Sequence, residues 1–365
     1  MFYFEAIAAL ALLIVVHEGG HFWVARWCRM RIERFSIGFG PGVLKHRSAK
    51  TGTTFQLAPI PFGGFVEIQG MNLAEEVDPA DLYAYPNRPV WQRFLTIFAG
   101  PATNYLAAIV VMFGVYTCHG METDRAHVAE LKDGYDAVGK LVVGDHIVTA
   151  DNQPVTSTAQ LSDIVNAKAG APVVLGVERV DPSGAVDADG NPVVTTIAIT
   201  VQPKVYKDDT TGEIVKKNDK PVYLLGVIQE ADVAKVGVGT AAGKALAFPV
   251  DTTRIITTGL YEIVTGKQDA DPGGVVRITS ELHKAFESSF VTGLKLMAML
   301  SVYLGLFNLF PLPALDGGRL AFLVYEMVTR RRANPKIEAT VHMAGILVLG
   351  VVLILVLFRD CSHVL

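Results

Sequence analysis

The chain has 365 residues, of which 50% are hydrophobic, and a mean hydropathy of +0.35, which is more apolar than a soluble enzyme of this length needs and points to a membrane protein. The formal net charge of −4 and a pI near 6.1 give no basic excess, so charge offers no argument for a nucleic-acid partner. Cys28, Cys118 and Cys361 stand apart, without metal or redox spacing, and read as small apolar residues.

The first apolar stretch runs from Phe2 to Val16 and continues helically through His17 to Val24, roughly 23 positions, enough to cross a bilayer at about 1.5 Å per residue. Its start, Met1-Phe2-Tyr3-Phe4-Glu5, has no lysine or arginine and no clear small-residue cleavage site follows; we expect it to stay as a span rather than leave as an export signal. Inside it lies His17-Glu18-Gly19-Gly20-His21. This spacing sets both imidazoles on one helical face, where they can share a tetrahedral zinc ion, and Glu18 beside them can take a proton from water on that ion. Three ionisable groups in an apolar run are costly and mark a functional interior; the plainer alternative is two satisfied helix histidines with a snorkelling glutamate. Gly19 and Gly20 each weaken helix propensity by about 1 kcal/mol relative to alanine, but their bare backbone leaves room for a close-packed helix or a substrate.

A basic cluster follows: Arg26, Arg29, Arg31, Arg34, Lys45, Arg47 and Lys50, with Glu33 the acid among them. Phe55 to Ile68 alternates poorly but holds prolines and paired glycines suited to a bent, strand-like excursion. Such backbone survives at membrane depth only where protein or a polar cavity satisfies it; a cytoplasmic surface hairpin is the plainer reading. The second apolar stretch, Leu95 to Cys118, is interrupted only by small residues, Pro101 and Asn104. Asn104 either supports the site or holds this span to its neighbours.

From about Ala126 to Glu230 the chain reads as a soluble domain of short strands, at Leu141 to Val143, His146 to Ala150, Val173 to Val180, Val193 to Gln202 and Val222 to Ile228, with a short helix over Ser157 to Ala169. Gly144-Asp145, Asp151-Asn152-Gln153-Pro154 and Asp187-Ala188-Asp189-Gly190 supply turns, and the run Tyr206 to Lys220 reads as a solvated hairpin tip. The sequence Gly144 to Val148, then Asn152 to Val155 and a helix, resembles the core of PDZ domains, in which a strand edge beside a helix accepts an extended peptide; a small β-rich spacer is the alternative. His46, His119, His127 and His146 lack clustering along the chain and read as surface, turn or packing residues. Gly237 to Phe286 reads as amphipathic helical pieces with glycine-rich breaks, the strongest at Asp269 to Gly274, resting on the membrane surface.

The third apolar stretch runs from Phe290 to about Leu312 and the fourth from Val341 to Phe358. Two histidines and a water leave zinc one protein ligand short. Asp316 is the best remote candidate, since Pro311, Pro313, Gly317 and Gly318 permit a broken helix around it; alternatively it caps the helix that follows. Asn308 offers a neutral amide for a substrate backbone or a developing oxyanion, or a helix-helix hydrogen bond. Arg319, Arg330, Arg331, Arg332 and Lys336 separate the third and fourth stretches. The positive-inside rule makes both basic clusters cytoplasmic, with both termini and the acidic stretch His119 to Asp232 outside.

The chain as a whole resembles the site-2 protease family of intramembrane zinc metalloproteases, in particular its bacterial branch with an outward-facing PDZ domain. The resemblance rests on His17 to His21, Phe35 to Pro41, Pro61 to Val66, Phe98 to Asn104 and Asn308 to Gly318, in that order along the chain. It implies a polytopic α-helical membrane protein with four transmembrane helices, a membrane-reentrant β hairpin over Pro61 to Gln69 and one extracytoplasmic PDZ-like domain. We therefore expect an N-terminal membrane part at 1–118, the PDZ-like domain at 119–235, an amphipathic surface linker at 236–289 and a C-terminal membrane part at 290–365. One catalytic zinc ion would be held by His17, His21 and Asp316, with Glu18 as general base and acid, Asn308 catalytic, and Gly63, Gly64, Phe65, Val66 and Asn104 in support. The implied substrates are single-span membrane proteins already cut by an upstream site-1 protease, an anti-sigma factor or signal-peptide remnants among them, in the bacterial inner membrane. The alternatives are a membrane-anchored zinc peptidase cutting soluble chains, and a noncatalytic peptide-binding receptor or chaperone that uses the outer domain.

Overall fold

The apolar runs of the chain fold as helices, the backbone form that satisfies its own polar groups where water is scarce. The computed structural model describes residues 4–72, 75–181, 183, 193–207, 212–217, 220–267 and 274–364. Contacts divide the chain into two compact units, Met1–His119 with Gly237–Leu365, and Gly120–Val236.

The first unit opens with α1 (Phe4–Trp27), whose buried residues Ala6, Ala9, Leu13, His17, Gly20 and His21 recur every three or four positions and form one stripe. A four-stranded sheet follows, of β1 (Ile32–Phe39), β2 (Leu44–Arg47), β3 (Thr54–Leu57) and β4 (Ile60–Ile68), in the order β2-β3-β1-β4. β1 runs parallel to β3 and antiparallel to β4, so β4 is an edge strand. The excursion expected over Phe55 to Ile68 is therefore two strands on opposite sides of β1, and Pro61 to Gln69, expected to form a hairpin, lies instead in the single strand β4 and the turn that follows it. α2 (Val90–Cys118) comes next and keeps Pro101 inside an unbroken helix.

The second unit is built by two-residue alternation. In β8 (Val173–Val180), Val173, Leu175 and Val177 are fully buried, whereas Val174 and Glu178 face outward. β5 (Met121–Leu131), β6 (His146–Ala150), β7 (Gln153–Pro154), β8, β9 (Val194–Val201) and β14 (Val227–Ala234) form one sheet, ordered β14-β5-β6-β8-β9 with β7 paired to β6. Between β9 and β14 lie the two-residue strands β10 (Lys204–Val205), β11 (Lys216–Lys217), β12 (Lys220–Pro221) and β13 (Tyr223–Leu224). α3 (Thr158–Ala167) is capped by Ser157, which accepts from the Gln160 N–H, and sends Leu161 and Val165 into the core. Asp151 and Asn152 take the positive φ that the hairpin from β6 to β7 requires.

The structure corrects two strands. Leu141 to Val143 is a turn, because Asp145 accepts from the Val142 N–H at 2.9 Å and its own N–H returns to the Val142 carbonyl. Val222 to Ile228 is split by Gly226, at φ 75°, into β13 and β14. β5 begins at Met121, five residues before the expected start at Ala126. The turn at Asp187 to Gly190 and the break at 269–273 lie outside the described residues, as does part of the run Tyr206 to Lys220.

Chain returning to the first unit forms α4 (Val238–Val264), α5 (Val275–Ser288), α6 (Phe290–Leu309), α7 (Asp316–Thr329) and α8 (Pro335–Val364). The helical pieces expected over Gly237 to Phe286 are α4 and α5: α4 sends Ala245 and Ile256 into a core shared with α2 and α6, and α5 buries Leu282 against Ala6, Ala9 and Leu13 of α1. Among the described residues, four helical segments, Phe4–Trp27, Val90–Cys118, Phe290–Leu309 and Pro335–Val356, are long and apolar enough to cross a membrane. α1, α2 and α6 pack through small residues: a Cβ at Gly20 would lie 2.3 Å from the Ala99 carbonyl oxygen, and Ser301 Oγ donates to the Asn104 carbonyl at 2.9 Å. The protein is a polytopic helical membrane protein.

Candidate metal centre

Side chains far apart in the chain meet inside the first unit. His17 Nε2 lies 3.1 Å from Asp316 Oδ2, His21 Nε2 lies 3.3 Å from the same oxygen, and the two Nε2 atoms are 3.3 Å apart. Bonds of about 2.0–2.2 Å to a tetrahedral zinc ion separate neighbouring ligand atoms by about 3.3–3.5 Å. The triangle already has the dimensions of three corners of such a site. Both histidines are buried, and the Asp316 side chain is 17% exposed.

The backbone explains how these groups arrive together. α6 ends at Leu309, the chain reverses through Phe310–Leu315 with Ala314 at φ 75°, and α7 opens on Asp316. The reversal is tight: a Cβ at Gly317 would sit 2.0 Å from the Phe310 carbonyl oxygen. Leu315, not Asp316, holds the N-cap position, which leaves the Asp316 carboxylate to the histidines.

Each imidazole is oriented from behind. His21 Nδ1 donates to the Thr96 carbonyl at 2.8 Å, which fixes the proton on Nδ1 and turns the Nε2 lone pair into the triangle. Asn104, fully buried, brings Nδ2 to 3.2 Å from His17 Nδ1, while its Oδ1 is buried without a partner among the described residues. A half-turn of the amide exchanges these atoms, so that Oδ1 accepts from Nδ1–H and frees Nε2 for a metal. Gly100 makes the space for the ring of His21, since a Cβ there would lie 2.2 Å from Nε2. The donor set, its spacing and its supports fit zinc.

The triangle opens on a cavity of about 790 Å³ lined by Glu18, Gly63 to Val66, Asn308 and Asp316. Gly64 brings β4 directly against α1, where a Cβ would meet Glu18 Cγ at 3.4 Å. All the site residues picked out from sequence thus line this cavity or touch its ligands. Three participants were missed. The Thr96 carbonyl is main chain and carries no sequence signal. Gly100 carried none beyond its place in a motif. His342 on α8 lines the same cavity and accepts from the Ala314 N–H at 3.1 Å; a lone histidine at the start of an apolar run was the available signal.

A metal-ligating triangle backed by oriented imidazoles, with a glutamate next to it inside a bundle of apolar helices, defines a membrane-embedded metallohydrolase. The comparison with known proteins narrows this: the model of Peptidase family M50 matches residues 5–352, and the chain belongs to that family. Metalloprotease MmpA of Caulobacter vibrioides is 30% identical over 386 residues, covering 94% of this chain and 91% of the relative. A Brucella suis protein provisionally named a zinc metalloprotease is 31% identical, covering 96% of this chain and 92% of its own. A Rickettsia conorii protein with the same provisional name is 27% identical over 98% of this chain and 97% of its own. The protein is a zinc metalloprotease enzyme, and its spans and bacterial relatives make it a multi-pass inner-membrane protein.

Proposed function

We propose that this protease is of the site-2 type and hydrolyses peptide bonds within or near the transmembrane segments of membrane proteins already shortened by another protease. The observation that carries the reading is the meeting of Glu18, Asn308 and the edge of β4 with the His17, His21 and Asp316 triangle at one cavity, built on the membrane-spanning helix α1 and on the helix that follows α6.

Zinc held by His17, His21 and Asp316 supplies Lewis acidity toward water and the scissile carbonyl. Glu18 takes the proton from the attacking water and delivers it to the leaving nitrogen as the peptide bond breaks. Asn308 donates its amide N–H to the oxygen on which charge develops. A transmembrane helix hides its carbonyls in its own hydrogen bonds, so the segment must first unwind. The outer edge of β4 at Gly63 to Val66 receives the opened segment as an added strand.

The unit Gly120–Val236 is read as a single PDZ-like domain on the extracytoplasmic side, with both termini on that side and the basic clusters in the cytoplasm. Its antiparallel sheet with α3 alongside, and a cavity of about 180 Å³ lined from β5, β6, β14 and residues 155–157 that lead into α3, support a role in recognising or size-selecting trimmed substrates. The substrates are single-span proteins, anti-sigma factors or signal-peptide remnants, delivered by an upstream site-1 protease.

The test is to incubate the zinc-loaded protein in lipid with labelled single-span proteins whose outer domains have been shortened, beside Glu18→Gln, and to map the products by mass spectrometry. A cut within the span by wild type alone is expected. Equal cutting by a folded Glu18→Gln protein would remove the base assignment, and cuts confined to soluble segments would overturn the intramembrane reading.

A further inference from the structure

His127, His146 and Asp232, which looked unrelated along the chain, converge on one face of the β-rich unit. We propose that they form a second divalent-metal site, of the zinc class, in addition to the His17, His21 and Asp316 centre.

Sheet pairing brings them together. β14, β5 and β6 are neighbours in the sheet, and His127 on β5 stands directly opposite His146 on β6. Glu230 on β14 is paired with His127, and Asp232 lies two residues further along β14, on the same face and diagonal to His127. His127 Nδ1 lies 2.8 Å from Asp232 Oδ1, and His146 Nε2 lies 2.8 Å from Asp232 Oδ2. Candidate ligand atoms of all three residues lie within 4.8 Å of one another.

The chemistry suits a borderline transition ion. Two imidazoles and one carboxylate are a donor set that zinc accepts, leaving a further position for solvent. The side chains of His127, His146 and Asp232 are 31%, 21% and 31% exposed, open enough for an ion to enter and covered enough to hold their geometry. To bind the ion, each imidazole takes the tautomer with its proton on the ring nitrogen facing away from Asp232, so that His127 Nδ1 and His146 Nε2 present lone pairs, and their contacts with Asp232 open from 2.8 Å to the separation of about 3.3 Å that such bonds require. The site ties β14 to β6 across β5. It also borders the cavity lined by His146 and Gln229, where Gln229 Oε1 is buried without a partner among the described residues.

The test uses the full chain in detergent with the His17→Ala/His21→Ala pair, so that the other centre is lost, and titrates Co²⁺ by visible absorption with Zn²⁺ as competitor. One Co²⁺ per chain with tetrahedral absorption is expected, displaced by Zn²⁺ and weakened at least tenfold by either His146→Gln or Asp232→Asn. In otherwise wild-type protein, bound zinc should fall from two ions to one with the same changes, and zinc should slow amide exchange in β5, β6 and β14. Lack of saturable binding in a folded background, or binding indifferent to both substitutions, would overturn the site.

Discussion

The guanidinium of Arg93 on α2 grips the carboxylate of Glu326 on α7 through two contacts, of 3.1 and 2.5 Å, with the Arg93 side chain only 7% exposed. This pair is the polar clamp between the helix that orients the histidines and the helix that carries Asp316. Removing one partner of a buried pair strands the other charge and costs on the order of 3 kcal/mol. Glu326→Ala should therefore lower thermal stability and loosen zinc, because α7 loses its hold on α2. Calorimetry combined with zinc competition would check this, and unchanged zinc affinity would show that α7 is fixed by packing alone.

Asn104 contributes to the metal centre through His17 rather than by direct ligation. Loss of a group that orients a ligating histidine typically weakens metal affinity by about 10–100-fold. Asn104→Ala is expected to fall in that range, and Asn104→Asp, which keeps an acceptor for His17 Nδ1–H, should recover most of the loss. Titration against a chelator of known affinity reads both. If neither substitution moves affinity, Asn104 serves only to hold α2 to its neighbours.

Gly19 and Gly20 are adjacent in sequence and opposite in consequence. Among the described residues nothing lies within 4 Å of a Cβ at Gly19, whereas one at Gly20 would meet the Ala99 carbonyl at 2.3 Å and Thr103 Oγ1 at 2.5 Å. Gly19→Ala should gain up to about 1 kcal/mol of helix stability, seen as a higher melting temperature. Gly20→Leu should force α1 and α2 apart, abolish cleavage and lower the melting temperature; normal activity there would refute the close approach.

These cases mark how far the sequence could be read. The pair on α1 was legible because a helix repeats every 3.6 residues, which fixes His17 and His21 on one face whatever else the chain does. Asp316 was reachable because zinc lacked a ligand and few other carboxylates follow an apolar run. The cluster of His127, His146 and Asp232 was invisible because strand register, not spacing along the chain, sets which residues face each other. The false strand at Leu141 to Val143 had the right residue types, but Asp145 turns the backbone there. The helical pieces expected over Gly237 to Phe286 are α4 and α5, but the partners their apolar faces find on α1, α2 and α6 are information that one segment alone does not hold.

Asp316 and Glu18 border the same cavity, yet their losses should separate cleanly. Asp316 Oδ2 is the atom that both histidines approach, so Asp316→Asn replaces an anionic ligand by a neutral one and should weaken zinc by at least tenfold, with cleavage lost in proportion to the metal and partly restored by excess zinc. Glu18 is not within the triangle, so Glu18→Gln should retain zinc with near-native affinity while cleavage falls by about 10²-fold or more, the scale of lost general acid-base catalysis, and added zinc should restore nothing. Metal content measured on the same samples as turnover distinguishes the two. Full zinc retention by Asp316→Asn would remove it from the ligand set, and zinc rescue of Glu18→Gln would move Glu18 from proton transfer to metal binding.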